Sequence, residues 1–207
     1  MKLDKSQDPN YQIYTDNKIY YNQTLVKSHS GALYNWIDIE RTPNLVRAYV
    51  YNDLHLRMNY KKATVVDLKF DFPFYGHILR TIVVATGGFV YTGDVKNYLS
   101  TDSQYIAPLM ANFDPTLNTR TSIKYVDNST HFICTWENLV LKDQPENGEY
   151  TFQAVLINTG EIIFNYKKVP KQPISDFNHD VKIGLSDAYL ENNYLSKCKP
   201  FNNQIDF

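Results

Sequence analysis

Leu68–Gly93 reads LKFDFPFYGHILRTIVVATGGFVYTG, and this stretch decides the fold. Aromatic and β-branched residues fill it, two glycine-containing corners interrupt it, and it contains no obvious catalytic group. From Ala63 onward Val65, Leu68, Phe70 and Phe72 lie in or near a strand, which Pro73 must end or push to a sheet edge because proline donates no ladder bond. Tyr75 and Gly76 form a corner. Beyond it, ILRTIVVAT and FVYTG flank Gly87 and Gly88, and a glycine pair between two β-rich runs predicts a tight hairpin needing positive φ. The stretch is therefore two or three neighbouring strands.

The same grammar continues outward. In NLVRAYVYNDL, Val46, Ala48 and Val50 alternate with Arg47, Tyr49 and Tyr51, which predicts the first core strand. YIAPLMANFDPTLNTRTS carries Pro108 and Pro115 with little β-branching and reads as a long, packed connection. SIKYVD and HFICTW are strands joined by a turn at Asn128-Ser129. YTFQAVLI and EIIFNYK surround Asn158, Thr159 and Gly160, a hairpin with Phe152, Ala154 and Leu156 on one face opposite Ile162, Phe164 and Tyr166. VKIGLSDAYL supplies a last short strand. There is no internal repeat and no helical period longer than two turns. The expected architecture is all-β, a β-sandwich of two mainly antiparallel sheets over residues 35–189, with an N-terminal arm at 1–34 and a C-terminal extension at 190–207.

Composition narrows the function classes. The 207 residues are 43% hydrophobic and 14% aromatic, led by 17 Tyr, which favours pleated surfaces over helical bundles. A formal net charge of -1 and a pI near 6.5 argue against a nucleic-acid surface, and the basic clusters at Arg57–Lys62 and Lys167–Lys171 are short. No apolar run approaches the roughly 20 residues of a membrane helix. MKLDKSQDPNYQ has no apolar core of a secretory signal, so the expectation is either a cytosolic protein or a fragment. Cys134 and Cys198 fit two buried thiols or one disulfide.

Candidate chemistry is sparse. His29, His55, His77, His131 and His179 are scattered without metal-ligand spacing, and no cofactor is expected. Asp176–Asp180, DFNHD, gathers carboxylates and an imidazole but departs from a calcium loop and reads as solvated. Asn112 and Asp114 read as braces of a turn ahead of Pro115. There is no nucleophile elbow and no phosphate loop. NQT at Asn22 and NST at Asn128 fit the N-glycosylation acceptor, Asn128 better because it falls in a predicted turn.

DLKFDFPFYGHILRTIVVATGGFVYTGDV, TDSQYIAPLMANFDP, YTFQAVLINTGEIIFNYKKVP and VKIGLSDAY, taken in that order, resemble the ectodomain of the plexin-domain-containing proteins, also called tumour endothelial markers. The resemblance covers about Asn35 to Tyr189 with gaps. More distantly, the FPFYG corner and the GGFVYTG, IAPLMANFD and GEIIFNY segments are similar to the nidogen-type extracellular module. The resemblance implies a β-sandwich in a type I, single-pass cell-surface glycoprotein, with receptor activity toward pigment epithelium-derived factor and binding to matrix nidogen. It places a family sequon at Asn128. The family's Cys-rich plexin-type module, transmembrane helix and signal peptide have no counterpart in this sequence, so membrane anchoring is implied only for a longer parent. Cys134 and the tail around Cys198 depart from the family, which makes a chain-specific Cys134–Cys198 disulfide an expectation.

The reading that follows is a non-catalytic extracellular recognition module binding a secreted or matrix protein, with solvent-facing aromatics such as Tyr49, Tyr51 and Tyr91 as candidate contacts. A glycan-binding lectin-like module and a structural spacer of the ectodomain are the alternatives.

Overall fold

The computed structural model describes residues 12–17, 22–27, 36–51, 63–93, 104–177 and 179–187. The described elements are strands except for two one-turn 3-10 segments, Pro115–Leu117 and Pro145–Asn147. A hairpin of β1 (Gln12–Asn17) and β2 (Asn22–Lys27) forms a two-stranded sheet of its own within the N-terminal arm. The remaining strands are β3 (Val46–Val50), β4 (Ala63–Phe74), β5 (His77–Ala85), β6 (Phe89–Tyr91), β7 (Gln104–Met110), β8 (Ser122–Asp127), β9 (His131–Val140), β10 (Glu149–Ile157), β11 (Ile162–Lys168) and β12 (Lys182–Asp187). They make two five-stranded antiparallel sheets, ordered β11-β10-β9-β8-β3 and β12-β7-β6-β5-β4. The protein is a β-sandwich, as expected.

Turn chemistry sets the hairpins. Tyr75 and Gly76 close β4 onto β5 in a two-residue loop with both φ positive, 46° and 89°, as a type I′ turn requires. A tyrosine is an uncommon occupant there, and its ring gains a T-shaped contact with Phe74 at 4.8 Å. Of the glycine pair only Gly88 adopts positive φ, 84°, ending the three-residue link from β5 to β6. The β10–β11 hairpin pairs Phe152 with Tyr166, Ala154 with Phe164 and Leu156 with Ile162, the facing read from the sequence.

The core lies between the sheets. Phe72, Ile82, Val90, Ile106 and Leu109 of one sheet meet Ile123, Phe132, Trp136, Phe152 and Leu156 of the other, all essentially sealed from solvent. Each such side chain contributes about 1.5–3 kcal/mol on burial. Trp136 stacks on Phe152 at 5.4 Å, and its Nε1 donates to the Ala85 carbonyl at 2.9 Å, joining the sheets by a direct hydrogen bond. A second tie sits at the opposite end, where the Asp127 carboxylate accepts from the Lys69 backbone at 2.7 Å.

Two expectations need correction. First, Tyr105–Met110 is not a connection but β7, which lies between β6 and β12. Pro108 is tolerated because the ladder with β12 shifts register there, Met110 opposing Lys182 and Ala107 opposing Gly184, and no donor is needed at the irregularity. Second, β3 is a core strand as expected, at the edge of its sheet, but its faces do not follow the alternation read from the sequence. Its bulge between Arg47 and Tyr49 turns both Ala48 and Tyr49 inward, which strict alternation does not anticipate. β4 holds Val65, Leu68, Phe70 and Phe72 as expected and alternates strictly, with Val65 at 52% exposure on the outer face and Val66, Leu68, Phe70, Phe72 and Phe74 lining the inner one. Pro73 stays inside β4, on the sheet edge where a missing donor costs nothing.

Candidate recognition surface

Outside the core the molecule offers two sheet faces and two loop ends. The outer face of the β3-containing sheet carries transverse rows of side chains. Val126, Ile133 and Val155 form an apolar row, capped by Ile39 and flanked by Leu45. Beside it, Lys124, Thr135, Gln153 and Asn165 form a buried polar row. Residues 36–45 cross this face as a strap. Gln153 clamps its backbone, accepting from Ile37 N at 3.2 Å and donating to Ile37 O at 2.9 Å. The other contacts of the same amide, with Thr135 Oγ1 at 2.9 Å and Asn165 Nδ2 at 3.2 Å, complete its capacity.

At the strap's next residues, Glu40 pairs with Lys124 and Arg47. Lys124 is 8% exposed and also meets Glu137 at 2.9 Å. Burial opposes its charge, but the hydrogen bonds it donates to Glu40 and Glu137 outweigh burial and hold its pKa above the ordinary lysine value. The Lys124 hydrogen bond lowers the Glu40 pKa in return. These charges are held in ion pairs that fasten the strap to the sheet.

The outer face of the second sheet is a separate apolar cluster of Val83, Ala85, Phe89, Tyr91, Tyr105, Ala107 and Met110, all buried. Lys182 Nζ lies 5.7 Å from the Tyr105 ring centre. Tyr91 is therefore not a solvent-facing contact, with 2% exposure, and neither is Tyr49, with 1%. The Tyr49 hydroxyl donates inward to the Pro115 carbonyl at 3.1 Å. Alternation predicts which residues share a face, not whether another part of the chain covers that face. Only Tyr51 keeps partial exposure.

One loop end gathers the β4–β5, β8–β9 and β10–β11 turns. Gly160 packs on Pro73, and Asn158 N donates to the Thr130 carbonyl. Asn128 is exposed here. Its Oδ1 accepts from Thr130 N at 3.1 Å, Thr130 Oγ1 at 2.9 Å and His131 N at 2.8 Å, an Asx turn. All three bonds end on the carbonyl oxygen, on the opposite side of the amide from Nδ2. Asn22 opens β2 opposite Asn17, in extended backbone.

The other end holds the long connections. Asp114 Oδ1 caps the 3-10 turn through Thr116 N and Oγ1, at 2.9 and 2.6 Å, and Asn112 bonds Asp143, so both residues brace turns. Glu149 collects Asn118, Arg120 and Lys168, and the Lys168 bond holds its carboxyl below the ordinary range. The residues of DFNHD that are described lie at this end, and no group of three or more metal-ligating side chains occurs among the described residues. A crevice of about 10 Å³ between Ala48, Tyr49, Thr64 and Val84 has room for a single water.

Cys134 lies in the main core opposite Tyr125 and Ala154, fully buried, its thiol free and its pKa raised by burial. Its partner in the expected disulfide, Cys198, lies outside the described residues, as do His29 and His55. Among the described residues no helix is long and apolar enough to cross a membrane.

These features define an antiparallel sandwich whose polar chemistry is spent on bracing loops and fastening a strap. A family model described as NIDO related matches residues 49–204. The chain belongs to this nidogen-related family, a non-enzymatic type of extracellular module. No solved structure matches the chain.

Proposed function

We propose that the chain is an extracellular recognition module that binds a secreted or matrix protein and performs no chemistry of its own. The observation that carries this is membership of the nidogen-related family across residues 49–204, on a sandwich whose titratable clusters are paired internally. The resemblance to plexin-domain-containing receptors supports a finer reading, the ectodomain of a single-pass surface receptor. Nidogen and pigment epithelium-derived factor are then the first ligands to test. Immobilised separately, one of them should bind the purified chain saturably. Flat traces on both, together with hits on a glycan array, would replace this reading with a lectin-like one.

The same reading makes Asn128 a glycan carrier. The Asx turn presents the amide on an exposed loop, where an attached sugar stays in water. Asn22 sits in a strand instead, so Asn128 is the expected major site. Secreted from eukaryotic cells, the chain should lose mass on glycosidase treatment, and Asn128→Gln should abolish most of that shift. An unchanged shift in the variant would reassign the glycan.

A further inference from the structure

The connection from β11 to β12 contains the most exposed large apolar side chain described. Phe177 is 89% exposed, whereas Val65, Ile78 and Leu117 each keep about half their surface covered. Single half-exposed apolar residues are ordinary on any protein surface. A phenylalanine almost wholly in water is not, and its setting explains how it is held there. Val169 and Ile174 before it and Val181 after it pack against the main core, so both ends of the connection are anchored. The approach to the tip is braced from a neighbouring loop. Gln144 Oε1 accepts from Ser175 N at 2.7 Å, and Gln144 Nε2 and Asn147 Nδ2 both donate to the Pro173 carbonyl at 3.3 Å. Ser175 Oγ then accepts from Phe177 N at 3.3 Å. The backbone is ordered before any partner arrives, which lowers the entropy lost on binding.

The flanking charge specifies the partner. Asp176 is exposed, and Asp180 has 77% of its side chain in solvent while forming an ion pair with Lys182 Nζ at 3.5 Å. Carboxylates beside an aromatic anchor oppose insertion into the anionic surface of a membrane and favour a basic rim on a protein. The geometry points to Ser175–Phe177 as a docking finger that seats Phe177 in an apolar pocket of a partner protein, with Lys or Arg side chains at the rim meeting Asp176 and Asp180. It rests on the recognition reading above and names the contact that reading uses. The finger lies at the opposite end of the sandwich from Asn128, so a glycan there leaves it clear.

The test uses the intact chain on a coat of reconstituted basement-membrane extract, with an albumin coat as blank. Phe177→Ala should weaken binding about tenfold or more while leaving the thermal midpoint unchanged. Asp176→Lys with Asp180→Lys should weaken it and remove most of its salt dependence. Val65→Ser, on the outer face of β4, should bind like the parent. If Phe177→Ala binds like the parent, the finger is wrong while the recognition reading stands. If the parent does not bind the coat, both fall. Retention of the chain on phosphatidylcholine/phosphatidylserine vesicles that depends on Phe177 would overturn the protein pocket in favour of a lipid surface.

Discussion

Gly88 and Gly76 share a backbone sign and differ in what surrounds them. Both have φ near 85–90°, where a side chain is strained, yet a Cβ on Gly76 meets nothing within 4 Å while one on Gly88 would lie 2.1 Å from the Leu109 carbonyl oxygen. That oxygen belongs to the backbone of β7, and Leu109 N donates back to Gly88 O at 3.4 Å, so neither chain can yield without breaking the sheet. Gly76→Ala should cost about 1 kcal/mol, the price of conformation alone. Gly88→Ala should cost roughly 3 kcal/mol or more, from overpacking against fixed backbone added to the same strain. Chemical denaturation of the two variants measures the difference, and equal losses would show that β7 can move. At this scale the sequence is only half legible. The glycine pair announces a turn, but which member is irreplaceable depends on the backbone of Leu109 in a strand beyond the next one.

Elements were legible where alternation ran unbroken and hidden where it was interrupted. β10 and β11 read correctly down to their facing pairs because no bulge disturbs the period between Phe152 and Leu156. β7 was hidden by Pro108, and the inner face of β3 was hidden by the bulge that shifts the period within it. The strap was invisible for another reason: residues 36–45 have no period, and their anchor Gln153 is 116 positions away. The same holds for the finger, since DFNHD reads as solvated until Ile174 and Val181 are seen to pack, partly buried, against the core on either side. The strap's dependence on one amide is testable. Gln153→Leu keeps the volume but removes bonds to the part-buried Ile37 backbone and to the buried Thr135 and Asn165 side chains, at about 1–3 kcal/mol for a buried group that loses its partner, unless water reaches it. The cheapest way for water to reach these groups is for the strap to lift. Trypsin should then cut after the exposed Arg41 much faster in the variant than in the parent, before the sandwich itself is digested. A global loss of stability with no preferential cut at Arg41 would mean that the strap and the sandwich unfold as one unit.

Over the whole molecule, the paired charges tie segments distant in sequence, and their protonation decides the pH range in which the ties hold. Glu40 fastens the strap to β8 and β3 through Lys124 and Arg47, and Glu149 holds the connection at Asn118–Arg120 to the end of β11 at Lys168. Both carboxyl pKa values are lowered, chiefly by the lysine hydrogen bond in each case. Their contribution is therefore complete above the unfolded-state value, about 4.5, and is lost as pH falls through the depressed folded values. Lys124 has the opposite sign. Burial works against its charge, its two glutamate bonds outweigh that, and the raised pKa gives stability that is present below about 10.5 and lost as pH climbs past it. The thermal midpoint should accordingly be flat between about pH 5 and pH 10 in these terms, with limbs on both sides. Glu40→Gln with Glu149→Gln should lower the plateau and flatten the acid limb together, because the variant has no proton left to take up at these two sites. Lys124→Met should make the alkaline limb shallower, the remainder coming from the buried Cys134 thiol and Tyr125, Tyr150 and Tyr166 hydroxyls, whose pKa values burial raises, while Glu149 still shapes the acid side. Melts recorded across that range for parent and variants separate the cases. An acid limb equally steep in the double variant would place the acid sensitivity in other carboxylates and remove these two ties from the account of what holds the strap and the loop end to the sandwich.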